Sequence, residues 1–138
     1  MSETPTQIIE RLAAAVRAND PEACAAIYSE DVLIVDPLFD VSGRPAAVEA
    51  FAAWFAAFRV LELEITERIV DGSRIAVRWD WRAIHQGSYL DIPASNCEFA
   101  SYNIIFFDTS NGEVTRDLST WDCSQLLKLA AQQRGAGA

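Results

Sequence analysis

Arg74-Ile75-Ala76-Val77-Arg78-Trp79-Asp80-Trp81-Arg82-Ala83-Ile84-His85 is the stretch that decides the fold. Ile75, Val77, Trp79, Trp81 and Ala83 occupy one phase of a period-two pattern, and Arg78, Asp80 and Arg82 the other. A strand with one apolar and one charged face belongs to an antiparallel sheet covered on one side. The same period puts His85 on the apolar face. Upstream, Asp71-Gly72 is a hairpin turn, and before it Leu61, Leu63 and Ile65 alternate with Glu62, Glu64 and Thr66 as a second half-buried strand. Downstream, a loop with Gly87 and Pro93 leads to a strand over residues 97–108. Asn111-Gly112 makes another hairpin turn, and a last strand spans 113–121.

The chain before residue 60 reads differently. Thr4-Pro5-Thr6-Gln7 is a capping box with proline at the first helical position. Ile8, Ile9, Leu12, Ala15 and Val16 follow at helical spacing. Asn19-Asp20-Pro21 ends this helix and caps a second over 21–29, with Cys24, Ile27 and Tyr28 available for packing. A β-branched run, 32–35, stops at Asp36-Pro37. A third helix over 45–58 has Val48, Phe51, Phe55 and Phe58 on its buried face. Asp122 is placed to cap a short terminal helix through Leu129, and the tail from 131 is expected to fray. Three helices followed by hairpin-joined strands predict an α+β fold, a cone-shaped roll in which helices pack on a strongly curved, mostly antiparallel sheet. One domain accounts for all 138 residues. Such a sheet encloses an apolar pocket with a few placed polar groups.

Composition excludes several functions. The net charge is −9, and no Lys/Arg cluster offers the positive footprint that nucleic acid or an anionic membrane requires. No apolar run is long enough to span a bilayer. The first residues lack a basic, apolar signal sequence, so a cytoplasmic location is expected. Cys24, Cys97 and Cys123 have no metal-ligand spacing and are expected to be reduced. No phosphate loop or dinucleotide fingerprint appears, and neither cofactor nor metal is expected.

Asp36 ends an apolar strand at the mouth of the expected pocket. Desolvation there disfavours the charged carboxylate and raises its pKa, which suits a general base for a carbon acid. A turn-forming Asp before Pro, bonded to local backbone, is the alternative. His85, the sole histidine, is a candidate proton carrier near neutral pH or a loop histidine bonded to backbone. Trp81, Trp121, Phe55 and Phe58 are expected to line the cavity, where flat rings stack on aromatics. Tyr28 is a candidate phenolic donor.

The segment Tyr28-Ser29-Glu30-Asp31-Val32-Leu33-Ile34-Val35-Asp36-Pro37, with Gly43-Arg44-Pro45-Ala46-Ala47-Val48, resembles the ketosteroid isomerases of the nuclear transport factor 2-like superfamily. The resemblance implies a cone-shaped α+β fold and puts the family's catalytic base at Asp36. It puts the oxyanion-stabilising position at Asn103, in Tyr102-Asn103-Ile104-Ile105-Phe106-Phe107, where an amide can donate to an enolate. The family's tyrosine on the first helix is replaced by an apolar residue near Leu12. His85-Gln86-Gly87-Ser88-Tyr89-Leu90-Asp91-Ile92-Pro93, the last hairpin from Asn111-Gly112 to Trp121-Asp122, and Leu126-Leu127-Lys128-Leu129 are similar to the SnoaL-like polyketide cyclases. That likeness implies an acid/base Asp on the last strand. Asp117, in phase with Ser119 and Trp121, and Asp122 both compete for the role. Arg78-Trp79-Asp80 is similar to an arrangement in limonene epoxide hydrolases, whose second acid would fall at Ser119.

The expected function is thus cofactor-independent proton transfer on a small hydrophobic ketone, by isomerisation, cyclisation or dehydration. Asp36 is the base, Asn103 the enolate donor, and His85 or Asp117 the relay. The alternatives are a non-catalytic binding or dimerisation module and an epoxide hydrolase. The superfamily likeness also implies a homodimer through the outer sheet face, where Tyr102, Ile104 and Phe106 would otherwise be exposed.

Overall fold

The computed structural model describes residues 3–136. Four helices, α1 (Pro5–Arg17), α2 (Pro21–Ala26), α3 (Arg44–Ala57) and α4 (Ser124–Ala136), accompany six strands. The strands are β1 (Tyr28–Val35), β2 (Asp40–Ser42), β3 (Phe58–Asp71), β4 (Arg74–His85), β5 (Glu98–Ser110) and β6 (Glu113–Trp121). They form one curved, unclosed sheet in the order β2-β1-β6-β5-β4-β3. Every pairing is antiparallel except β1 with β6. The architecture is the α+β roll expected from the alternation in β4, whose residues 75, 77, 79, 81, 83 and 85 are all buried.

Helix α1 begins as its sequence dictates. Gln7 N–H donates to Thr4 Oγ1, and Thr4 N–H donates back to Gln7 Oε1. Its apolar stripe of Ile8, Ile9 and Leu12 faces the sheet. The corner after it is stitched to β3 by Asn19, which accepts from Val60 N–H at 2.7 Å and donates to Val60 C=O at 3.1 Å. That contact sits at a β-bulge between Val60 and Glu62. The bulge adds one residue and shifts the phase. Val60 and Leu63 therefore point inward, and Leu61, expected inside, is 39% exposed.

Other local expectations are corrected as well. Helix α2 ends at Ala26, so Tyr28 and Ser29 open strand β1 instead of closing a helix. Helix α3 ends at Ala57, and Phe58 already has extended geometry, φ −126° and ψ 132°. The inward stripe of α3 is Ala47, Phe51, Trp54 and Phe55, the i, i+4, i+7, i+8 pattern. Val48 lies beside that stripe and is 42% exposed. The short strand β2 was not expected from the sequence, and α4 runs past its expected end at Leu129 to Ala136. The final residues 137–138 of the expected frayed tail lie outside the described residues.

The loop between β4 and β5 is pinned against the end of α3. Gln86 and Gly87 both donate backbone N–H to Ala57 C=O, at 2.8 and 3.0 Å. A Cβ on Gly87 would lie 2.4 Å from Ala56 O, so this approach needs glycine. The loop then folds into a tight turn closed by paired hydrogen bonds between Tyr89 and Ile92. Leu90 and Asp91 at its centre both have positive φ, 49° and 64°, as a two-residue I′ turn requires.

No helix among the described residues is long and apolar enough to cross a membrane. All three cysteines are free, with Cys24 and Cys123 buried. On the outer sheet face Phe106 is 50% and Ile104 38% exposed. Tyr102 on the same face lies beneath the Arg78 guanidinium, 4.4 Å from its ring centroid.

Candidate functional site

The helices and the concave sheet face enclose a cavity of about 140 Å³. Leu12 and Val16 of α1 and Phe51, Trp54 and Phe55 of α3 form one wall. Trp79, Trp81, Asn103, Ile105, Asp117, Ser119 and Trp121 come from β4, β5 and β6, with Tyr28 from β1. Asp36 and Phe39, in the turn after β1, and Tyr89 from the pinned loop complete the lining. Strand period explains the sheet wall. In β5 the odd positions 103 and 105 face inward, and β6 pairs Trp121 with Asn103, Ser119 with Ile105 and Asp117 with Phe107.

Asp36 is held by its own turn. Its backbone exchanges hydrogen bonds with Phe39, and Leu38 N–H donates to Oδ1 at 3.0 Å. Trp121 Nε1–H donates to the same Oδ1 at 3.3 Å. Oδ2 takes neither bond. Burial pushes the Asp36 pKa above its ordinary value, and the Leu38 and Trp121 donors pull it partly back. The turn-forming reading of Asp36 is what these bonds show, and the residue also lines the cavity.

Asn103 is locked from both sides. Trp81 Nε1–H donates to Asn103 Oδ1 at 2.7 Å, and Asn103 Nδ2–H donates to Ser119 Oγ at 3.1 Å. The tryptophan donor fixes which end of the amide is oxygen. One N–H of Asn103 and the O–H of Ser119 are then left to donate to a ligand.

Asp117 is a second carboxyl in the same cavity. Tyr28 Oη–H donates to its Oδ2 at 2.5 Å. Its Oδ1 is buried with no partner among the described residues. The side chain is 7% exposed. Burial pushes its pKa up to about 7, the Tyr28 bond lowers it, and the Asp36 charge raises it further. The phenol of Tyr28 is itself driven well above its usual range by burial and by Asp117. Of the two last-strand acids, Asp122 is exposed, and its Oδ1 accepts from Ser124 N–H at 3.0 Å at the start of α4. Hydrogen bonding from Ser124, by its side chain first and then its backbone, holds the Asp122 pKa below the ordinary value.

Two expected site residues do not reach the cavity. His85 is fully buried, stacked on Phe58 at 5.0 Å and against Phe99 at 5.1 Å. Its Nδ1 accepts from Ser95 N–H and lies 2.9 Å from Ser95 Oγ. Its Nε2 meets no partner among the described residues. Burial lowers its pKa, against a smaller opposing contribution from the Gly87 backbone. The ring ties the pinned loop to β4 and is not among the residues that line the cavity. Phe58 stands behind the wall, stacked between His85 and Trp54, with Trp54 at 4.8 Å. Arg78 and Asp80 pair at 3.1 Å on the outer face, away from the cavity. With Ser119 in place of a second acid, this removes the arrangement that epoxide opening needs.

Trp54 and Tyr89 are among the lining residues that escaped the sequence reading. Trp54 stands at i+3 from Phe51 on the helical stripe, and that spacing could have revealed it. Tyr89 is carried by a turn with positive φ at Leu90, a conformation no local sequence signal announces. Its hydroxyl has no hydrogen-bond partner among the described residues, and burial and nearby Asp36 push its pKa up.

Comparison with known proteins agrees with this architecture. No curated protein is significantly similar to the chain in sequence. Among solved structures, AclR from Streptomyces galilaeus superimposes with a TM-score of 0.79 at 18% identity, covering 92% of this chain and 96% of that one. A proposed SnoaL-like polyketide cyclase from Jannaschia sp. CCS1 gives 0.80 at 16% identity, covering 91% and 90%. A Catenulispora acidiphila DSM 44928 protein with a ketosteroid isomerase-like fold, in complex with trimethylamine, gives 0.69 at 22% identity, covering 85% of each chain. These are likenesses of fold. The model of the SnoaL-like domain matches residues 9–117, from α1 to the buried aspartate of β6, and the chain belongs to the SnoaL-like domain family, with the cone-shaped fold of the nuclear transport factor 2-like superfamily.

Proposed function

We propose that this protein catalyses proton transfer next to the carbonyl of a small hydrophobic ketone, with Asp36 as the base. The observation that carries this reading is the uneven use of the Asp36 oxygens. Both protein donors fall on Oδ1, so Oδ2 is free to take a proton inside an apolar cavity. Desolvation raises the proton affinity of that carboxylate, moving it toward the range a general base needs. The enolate oxygen that forms requires a donor positioned in advance. Asn103 Nδ2–H and Ser119 O–H supply that donation from a locked hydrogen-bond chain, and Tyr89 O–H stands free in the same lining. The aromatic walls offer faces on which a substrate ring can rest. The cavity of about 140 Å³ is close to the roughly 150 Å³ that accommodates one benzene in an engineered protein cavity, so the substrate has about one ring.

A second reading, a binding module without catalysis, draws support from Leu12, which lines the cavity where the isomerase likeness calls for a tyrosine. Hydrogen–deuterium exchange at the α-carbon of cyclohexanone separates the two, because exchange needs only a base and an enolate donor. The native protein accelerates exchange, and Asp36→Asn abolishes the acceleration by about 100-fold or more. Equal exchange in both proteins removes Asp36 as the base, and no acceleration by the native protein supports the binding module. We also propose that Ile104 and Phe106 form a homodimer contact across the outer sheet face, tested by sedimentation of Phe106→Lys.

A further inference from the structure

Asp117 is left over by that mechanism. It is a buried carboxyl at the cavity wall with one oxygen bonded to Tyr28 and the other, Oδ1, facing no donor. A buried carboxylate without a cationic partner is costly. The residues lining the cavity include two carboxyl groups and no Lys, Arg or His. The described ion pairs formed by arginine all lie elsewhere. Around the two acids stand aromatic side chains, among them Tyr28, Phe51, Trp54 and Trp81. Aromatic rings attract cations through the negative potential of their faces, more strongly where water is excluded. The enclosure thus has two carboxyl groups, cation-attracting walls and no resident counter-charge.

From this geometry we infer that the cavity is a binding site for a small hydrophobic ammonium compound, whose protonated amino group pairs with the Asp117 carboxyl at the cavity wall while its hydrocarbon body rests on the aromatic walls. The inference goes beyond the proton-transfer reading and does not depend on it. Binding is linked to one proton. An ammonium ligand meeting neutral Asp117 forms the ion pair and releases the carboxyl proton to solvent, so charge and atoms balance. The other groups facing Asp117 and Asp36 do not interfere near neutrality. Tyr28 and Tyr89 are raised above their ordinary range, and Cys24 and Cys123 are pushed up to about 12.

The test compares three probes of the same ring, cyclohexylammonium, cyclohexanol and cyclohexanone, by titration calorimetry on the full chain between pH 5 and 8.5. Cyclohexylammonium is expected to bind at least 10-fold more tightly than cyclohexanol at pH 8. Its affinity should rise with pH up to about 7 and then level off, with close to one proton released per ligand below that point, read from two buffers of different ionisation enthalpy. Asp117→Asn should weaken the ammonium probe at least 10-fold and leave cyclohexanol unchanged. Asp36→Asn should retain the preference for ammonium while losing α-carbon exchange, which separates this inference from the proposed reaction. Equal or tighter binding of the alcohol or ketone, affinity that rises as pH falls, or no ammonium binding at millimolar concentration each overturn it. The proton-release arm uses the native protein alone, so the test stands if Asp117→Asn does not fold.

Discussion

Asp36 and Asp117 are the same residue type in the same cavity, and the fold treats them differently. Asp36 sits at the end of a strand, receives two N–H donors and remains half-buried. Asp117 lies in the middle of β6, receives one phenolic donor and is almost fully buried. Both pKa values rise by desolvation, but Asp117 is lifted to about 7, partly by the charge of Asp36. The difference teaches that the number of donors and the depth of burial, more than residue identity, set what a carboxyl in an apolar cavity can do.

The largest effect that would break this comparison is on stability against pH. The folded-state pKa of Asp117, about 7, exceeds the ordinary value of 3.8. Its relative stabilisation is therefore fully present below about pH 4 and is lost as pH rises through 7. The difference of roughly three units corresponds to up to about 4 kcal/mol. Denaturant unfolding of Asp117→Asn at pH 5 and pH 8 should show that the variant lacks this loss, and parallel pH profiles for both proteins would remove the claim. Smaller is Tyr28→Phe, which deletes the only donor to Asp117 among the described residues. The variant should lose about 1–3 kcal/mol at pH 8, where the carboxylate is charged, and less at pH 5. Gly87→Ala forces the loop off the end of α3, because Ala56 O blocks its Cβ. It should cost about 1–3 kcal/mol and loosen Tyr89, read as reduced protection of the Gln86 and Gly87 amides in hydrogen exchange. The smallest change is Trp121→Phe, which removes one of two donors to Asp36. The Asp36 pKa should rise further, shifting the acid limb of the α-exchange profile to higher pH by less than the Asp117 displacement.

The two carboxyls also differ in how far the sequence reveals them. Asp36 is announced locally, by the apolar run that precedes it and the proline that follows it. Its partner Trp121 and the inward phase of Asp117, Ser119 and Trp121 follow from strand alternation. The alternation of β4 likewise settles the sheet and the outward placement of Arg78 and Asp80. The contact between Tyr28 and Asp117 was out of reach for two reasons. Tyr28 reads as the end of a helix, because Pro21 to Ala26 sets a helical pattern that nothing local stops. Its pairing with β6 is parallel and shifts register between Tyr28 and Leu33, so no simple count along the chain connects the two residues. His85 shows the converse. Its phase was read correctly, yet phase alone does not separate the cavity wall from the aromatic layer of Phe58 and Phe99 behind it. Leu61 was misplaced because a bulge depends on the long-range Asn19 contact.

Carboxyl carbon NMR titration of both aspartates in one sample tests the central claim most directly. The account predicts that Asp117 titrates near pH 7 and that Asp36 titrates above its ordinary 3.8 but before Asp117. Two midpoints near 4, or an Asp36 midpoint above that of Asp117, would contradict it.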